Sequence, residues 1–173
     1  QGFITPARFI PILEATGFIT QLDDYMISHV AKQLAEWTIQ GRKAIPISVN
    51  VSRAHFAQEG LAEHICYLVD SYGPPHELIE LEVTESAFFD DKDILIDTVR
   101  QLRTYGFHVS MDDFGAGYSS LNSLKDIPID VLKLDGEFFR GDEDGRGQIV
   151  VREAIQLARN LDMRVVAEGI EKK

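Results

Sequence analysis

The sequence predicts an α/β fold, a TIM-like (β/α) barrel that is incomplete as given, with about five strands present. Three observations carry this. Short β-rich runs alternate with segments of helical periodicity along the chain, and strands that alternate with helices pair in parallel, in an open doubly wound sheet or a barrel. Each run ends on a polar residue set against its most apolar neighbours, as side chains lining a common mouth would be. The 173 residues fall short of the ~250 that eight strand–helix units occupy.

The elements follow in order. Residues 6–15 are expected to form a first helix, with Phe9, Ile12 and Leu13 at core-packing spacing. Thr20, followed three residues later by Asp23, resembles the N-terminal cap of a long helix ending near Gly41. Strands are expected at 45–51, 78–84, 107–112, 131–135 and 163–168. The helix after Asp91 places Leu95, Val99 and Leu102 on one face, with Gly106 just past its end. The helix after Gly147 does the same with Val150, Ala154, Leu157 and Leu161.

Alternation fixes what each strand shows to each side. Glu80, Glu82 and Thr84 share one face, opposite Leu81 and Val83. Asp112 falls with His108 and Ser110, Lys133 opposes Leu132 and Leu134, Glu168 opposes Val165 and Ala167, and Asn50 falls with Ser48. The strand ends thus converge Asn50, Glu82, Asp112, Lys133 and Glu168, with Asp113 just beyond. A single strand-end carboxylate is usually solvated or a cap. Five strands with the same feature are not. Crowded carboxylates must protonate or hold cations. Oxygen donors with one amide suit Mg²⁺ or Mn²⁺ better than zinc, and adjacent Asp112 and Asp113 suit two ions, as phosphodiester hydrolysis uses them.

Composition narrows the partners. Seventeen basic against 28 acidic residues give a net charge of −11, which disfavours polymeric nucleic acid. Cys66 is the one cysteine, so no internal disulfide forms, as suits a reducing compartment. No apolar run approaches the ~20 residues of a membrane helix, and the first residues lack a signal-peptide pattern.

Five segments, in order, resemble the EAL domain family: Asn50-Val51-Ser52, Glu82-Val83-Thr84-Glu85-Ser86, the nine residues from Asp112 to Ser120, Lys133-Leu134-Asp135 and Ala167-Glu168-Gly169-Ile170-Glu171. The opening Pro6–Glu14 stretch resembles the family's segment after its first strand. The resemblance implies hydrolysis of cyclic di-GMP to linear pGpG with two Mg²⁺ or Mn²⁺ ions. It implies Asn50, Glu82, Asp112, Asp113 and Glu168 as metal ligands and Lys133 as the residue orienting the attacking water. Glu85 would hold the loop after Asp113, Glu171 would support the site, and Gly115, Gly117 and Ser119 would form the mobile loop beside the substrate. It further implies a cytoplasmic domain, a homodimer, and fusion to or regulation by a sensory or diguanylate-cyclase-like domain, with membrane anchoring open to the parent. The naming Glu-Ala-Leu strand and the family's closing strand are missing, so residues 1–173 are expected to be one such domain, truncated at both ends and short of one metal ligand. The competing expectations are a catalytically silent cyclic di-GMP receptor and a protein-interaction module.

Other features are assigned plainer roles. Asp113-Phe114-Gly115 matches the kinase magnesium tripeptide by chance, because no glycine-rich phosphate loop accompanies it. His29, His55, His64 and His76 show no ligand spacing and are expected at the surface or in caps, and His108 as barrel filler. Cys66 is expected to be a small core residue, and Asp142-Glu143-Asp144 a solvated loop.

Overall fold

The computed structural model describes residues 2, 4–56, 58–89, 92–115, 124–139 and 146–169. Helices α1 (Pro6–Thr16) and α2 (Ile19–Ile39) precede β1 (Ile47–Asn50), and α3 (Arg53–Phe56) and α4 (Leu61–Asp70) lead to β2 (Ile79–Thr84). Then come α5 (Lys92–Thr104), β3 (His108–Phe114), β4 (Val131–Leu134), α6 (Arg146–Asn160) and β5 (Arg164–Ala167).

The five strands form one parallel sheet in the order β1-β2-β3-β4-β5. That order separates the two architectures left open by periodicity. A doubly wound sheet reverses its strand order at a switch point, whereas a barrel adds each strand beside the last. The sheet is also curved. Arg164 on β5 reaches Glu80 on β2, Nη2 to Oε2 3.5 Å, across the two strands between them. Among the described residues β1 and β5 remain edges, so the barrel is open.

The helices cover one face because that face is apolar. Leu81, Val83, Val109, Met111, Leu132 and Leu134 are fully buried, in one cluster with Ile27, Ala31 and Leu34 of α2, Ile65 and Val69 of α4, and Leu95, Val99 and Leu102 of α5. Each such side chain contributes roughly 1.5–3 kcal/mol on burial, which fixes strand parity: a slip of one residue would turn the carboxylates into this layer.

Three expectations are corrected. Thr20 does not cap α2; it lies in the first turn, where its hydroxyl donates to the Gly17 carbonyl at 3.4 Å. Asp23 turns inward instead, 5 % exposed, because its carboxylate accepts the Ser52 N–H at 2.9 Å. Phe9, Ile12 and Leu13 are not core, since α1 has no buried residue and packs mainly on α2. Val150 is exposed on α6, whose buried contacts come from Ala154 and Ala158. No described helix is long and apolar enough to cross a membrane.

Candidate active site

The concave face of the sheet ends in a cluster of charge. Lys133 on β4 points its ammonium at three carboxylates, from the residue just past β5, from β2 and from β3: Glu168 Oε1 at 2.7 Å, Glu82 Oε1 at 2.9 Å and Asp112 Oδ1 at 3.0 Å. The Lys133, Glu82 and Asp112 side chains are only 12, 10 and 15 % exposed, and Glu168 is 36 % exposed. Burial alone would lower the Lys133 pKa; the hydrogen bonds to Glu168, Glu82 and Asp112 outweigh it and hold the ammonium well above its ordinary value. All three of its N–H donors are thereby engaged.

A β-bulge builds the acidic pair. Register runs Met111 with Leu132 and then Phe114 with Leu134, so Asp112 and Asp113 together face the single residue Lys133. Asp113 takes up the extra length in the left-handed region, φ 56°, a conformation that Asp tolerates better than most residues. Without the bulge, Asp113 would fall on the helix-facing side with Val109 and Met111. With it, Phe114 resumes that buried position. Desolvation, then the charges of Asp112, Asp135 and Glu168, push the Asp113 carboxyl above its usual range, with Lys133 opposing. Its backbone N–H donates to Asp112 Oδ1 at 3.0 Å.

Backbone bonds extend the ladder past the strand ends and fix the rim. Val51 N–H donates to Glu82 O (2.9 Å), Asp135 N–H to Phe114 O (3.1 Å) and Glu168 N–H to Leu134 O (2.9 Å). Beyond β5, Gly169 adopts φ 66°, and a Cβ on it would lie 3.3 Å from Gly136 Cα. The two glycines let the loops after β4 and β5 touch, which sets where Glu168 leaves the strand.

Comparison with known proteins agrees with this geometry. The EAL domain profile matches residues 1–173. The chain belongs to the EAL domain family. It is 37% identical over 174 residues to a Pseudomonas aeruginosa protein named bifunctional diguanylate cyclase/cyclic di-GMP phosphodiesterase MucR, covering 99% of this chain and 25% of that one. It is 34% identical to the cyclic di-GMP phosphodiesterase NbdA of the same organism, covering 99% and 22%. The solved structure of a PaMucR phosphodiesterase in complex with c-di-GMP superposes with TM-score 0.89 at 34% identity, over all of this chain and 70% of that one. The chain thus spans about a quarter of the length of these curated relatives.

Against the EAL motifs, Glu82, Asp112, Lys133 and Glu168 meet directly, and Asp113 adjoins them. Asn50 lies in register beside Glu82 and is exposed on the edge strand. Glu85 opens a 3₁₀ turn (Glu85–Phe89) that packs against β3, and it is 7 % exposed. Gly115 follows β3 with φ 98°. Gly117, Ser119 and Glu171 lie outside the described residues.

Sequence reasoning did not give Asp23, Gly136 or Gly169 these roles. Asp23 had a signal: it falls among Ile19, Ile27, Val30 and Leu34, on the buried stripe of α2. An acid at a core position of an amphipathic helix must have a partner. His29 and His64 are exposed as expected, whereas the assignments of His55 and His76 need correction. His55 is 1 % exposed and meets Asp24 and His64, while His76 meets Asp70 and Cys66. Their spacing hid this, because the partners come from different elements. Cys66 is half-buried rather than core, and its thiol donates to Asp70 Oδ2 at 3.4 Å.

Proposed function

We propose that this domain hydrolyses cyclic di-GMP to linear pGpG. The observation that carries the reading is the meeting of Glu82, Asp112 and Glu168 around Lys133 at the C-terminal ends of the strands, where barrel enzymes bind substrate. Four carboxylates, counting Asp113, face one ammonium. Such an excess of hard oxygen donors fits divalent cations, and Glu82, Asp112, Asp113, Glu168 and Asn50 would hold two ions, Mg²⁺ or Mn²⁺. Bound there, the ions supply Lewis acidity to the phosphodiester and to the attacking water.

The protein's own groups do the rest. With its three carboxylate partners Lys133 is held as the ammonium, a positive charge and hydrogen-bond donor at the centre of the site. Orienting a water with Lys133 requires one of its three carboxylate contacts to give way. Glu85, buried beneath the end of β2, steadies the loop after Asp113. The bulge presents Asp112 and Asp113 together, which a regular strand cannot do. The greater length of the relatives, and the name of MucR, support a parent with a diguanylate-cyclase-like domain attached.

The test is incubation of the full-length protein with cyclic di-GMP and Mg²⁺ or Mn²⁺, with products resolved by chromatography. pGpG is expected. Tight binding with no turnover would mark a receptor instead, and neither binding nor turnover would leave an interaction module.

A further inference from the structure

A second cluster of ligand-type side chains lies where α2, α3 and α4 meet. Asp24 Oδ1 stands 2.9 Å from His64 Nε2 and 3.6 Å from His55 Nε2. The two rings, centroids 6.0 Å apart and tilted by 57°, thus converge on one oxygen through the same type of nitrogen. A surface ion pair explains His64. It does not explain a second imidazole that is 1 % exposed and turned toward the same carboxylate.

Behind the buried ring is another acid. Asp23 Oδ2 lies 3.3 Å from His55 Nδ1, yet Nδ1 makes no hydrogen bond of good geometry, and Asp23 already accepts the Ser52 N–H. In metal sites the second ring nitrogen donates to a carboxylate behind it, and Asp23 stands in that place at 3.3 Å, without the bond being formed. The spacing also fits. Bonds of about 2.0–2.2 Å to nitrogen and oxygen put the ligand atoms of a tetrahedral site roughly 3.3–3.5 Å apart, and the two measured separations bracket that figure.

We propose that Asp24, His55 and His64, none of them a rim residue, form a second metal site for a borderline divalent ion of the zinc type. Two imidazoles with one carboxylate select Zn²⁺, Co²⁺ or Ni²⁺ over Mg²⁺. His64 and Asp24 are 43 and 35 % exposed, which leaves an entry path and room for water in the remaining coordination position. The ion would join three helices and brace the Val51–Ser52 segment through Asp23. This inference does not depend on the phosphodiesterase reading.

The experiment is calorimetric titration of the full-length protein with Zn²⁺ in excess Mg²⁺, which occupies hard-oxygen sites. A Cys66→Ser background removes the sulfur of the Cys66, Asp70 and His76 group. One Zn²⁺ is expected to bind, and Co²⁺ is expected to broaden the ring signals of His55 and His64 in NMR while sparing His29. His64→Gln, an exposed change that leaves the core intact, should weaken Zn²⁺ at least about tenfold, the loss that even an outer-shell change produces. His55→Gln should do the same where it folds, and Asp112→Asn should not. Zinc affinity unchanged in His64→Gln, or zinc displaced by Mg²⁺, would overturn the proposal.

Discussion

The two ends of the same strands manage charge in opposite ways. At the N-terminal end Asp130, Glu80 and Asp70 each have a partner of their own. Asp130 pairs with Arg103 at 3.0 Å and accepts the Val109 N–H at 2.9 Å. Glu80 takes Arg164 and the Ser48 hydroxyl, and Asp70 takes His76 at 2.9 Å. At the C-terminal end one ammonium serves Glu82, Asp112 and Glu168, with Asp113 alongside. Balanced charge at one end holds the scaffold together. Unbalanced charge at the other costs stability unless cations fill it, and that cost is the mark of a site built for something absent from the sequence itself.

The largest effect that would break this comparison concerns the acids of the rim. Asp112→Ala or Glu82→Ala should lower turnover of cyclic di-GMP by at least roughly a hundredfold, comparable to losing one electrostatic stabiliser of a transition state. Steady-state rates with Mn²⁺ measure it. Unchanged rates would mean that the carboxylates are scaffold after all.

Lys133→Met comes next. Removing the cation leaves buried like charges facing one another, a loss of about 2–4 kcal/mol once the exposure of Glu168 is allowed for. Urea unfolding should show that loss in chelator and recover part of it in Mg²⁺ or Mn²⁺. Arg103→Ala at the other end, where the arginine is 44 % exposed, should cost under about 1 kcal/mol and ignore divalent ions. Equal metal rescue of both variants would erase the distinction between the ends.

Much of the rim is legible in the sequence because strand parity is. Glu82, Lys133 and Glu168 each oppose neighbours that are plainly apolar, so alternation assigns their face before any contact is known. Asp113 is different. Parity places it with Val109 and Met111, and only the register shift against β4 brings it to the mouth; its adjacency to Asp112 was the available hint. His55 and His64 are not legible at all, because their meeting depends on how α3 and α4 pack on α2. Helix faces are readable where a stripe is unbroken, as in α5, and misleading in α1, where apolar spacing exists but no residue becomes buried.

Gly169→Ala sharpens the comparison at a single backbone position. The new Cβ must adopt φ 66° and meet Gly136 Cα at 3.3 Å, a strain of about 1–2 kcal/mol. Relaxation would shift Glu168, the acid nearest Lys133. The midpoint of urea unfolding should fall modestly, while turnover falls by more than that stability loss accounts for. A drop in stability with full activity would detach Glu168 from the chemistry.

The smallest effect belongs to the balanced end. The hydrogen bond from His76, followed by that from the Cys66 thiol, holds the Asp70 carboxyl below its usual pKa. A group whose folded pKa is depressed contributes stability above its unfolded value, near 3.9, and loses it as pH falls through the lower folded value. Asp70 is well exposed, so the pair is worth under about 0.5 kcal/mol. Wild type should therefore exceed Asp70→Asn by that small margin at pH 6 in urea unfolding, and the two should converge below about pH 4. A gap that stays constant across that range would mean that Asp70 acts by packing. In that case the tidy pairing at this end would be geometric rather than electrostatic, and only the crowded rim would owe its behaviour to charge.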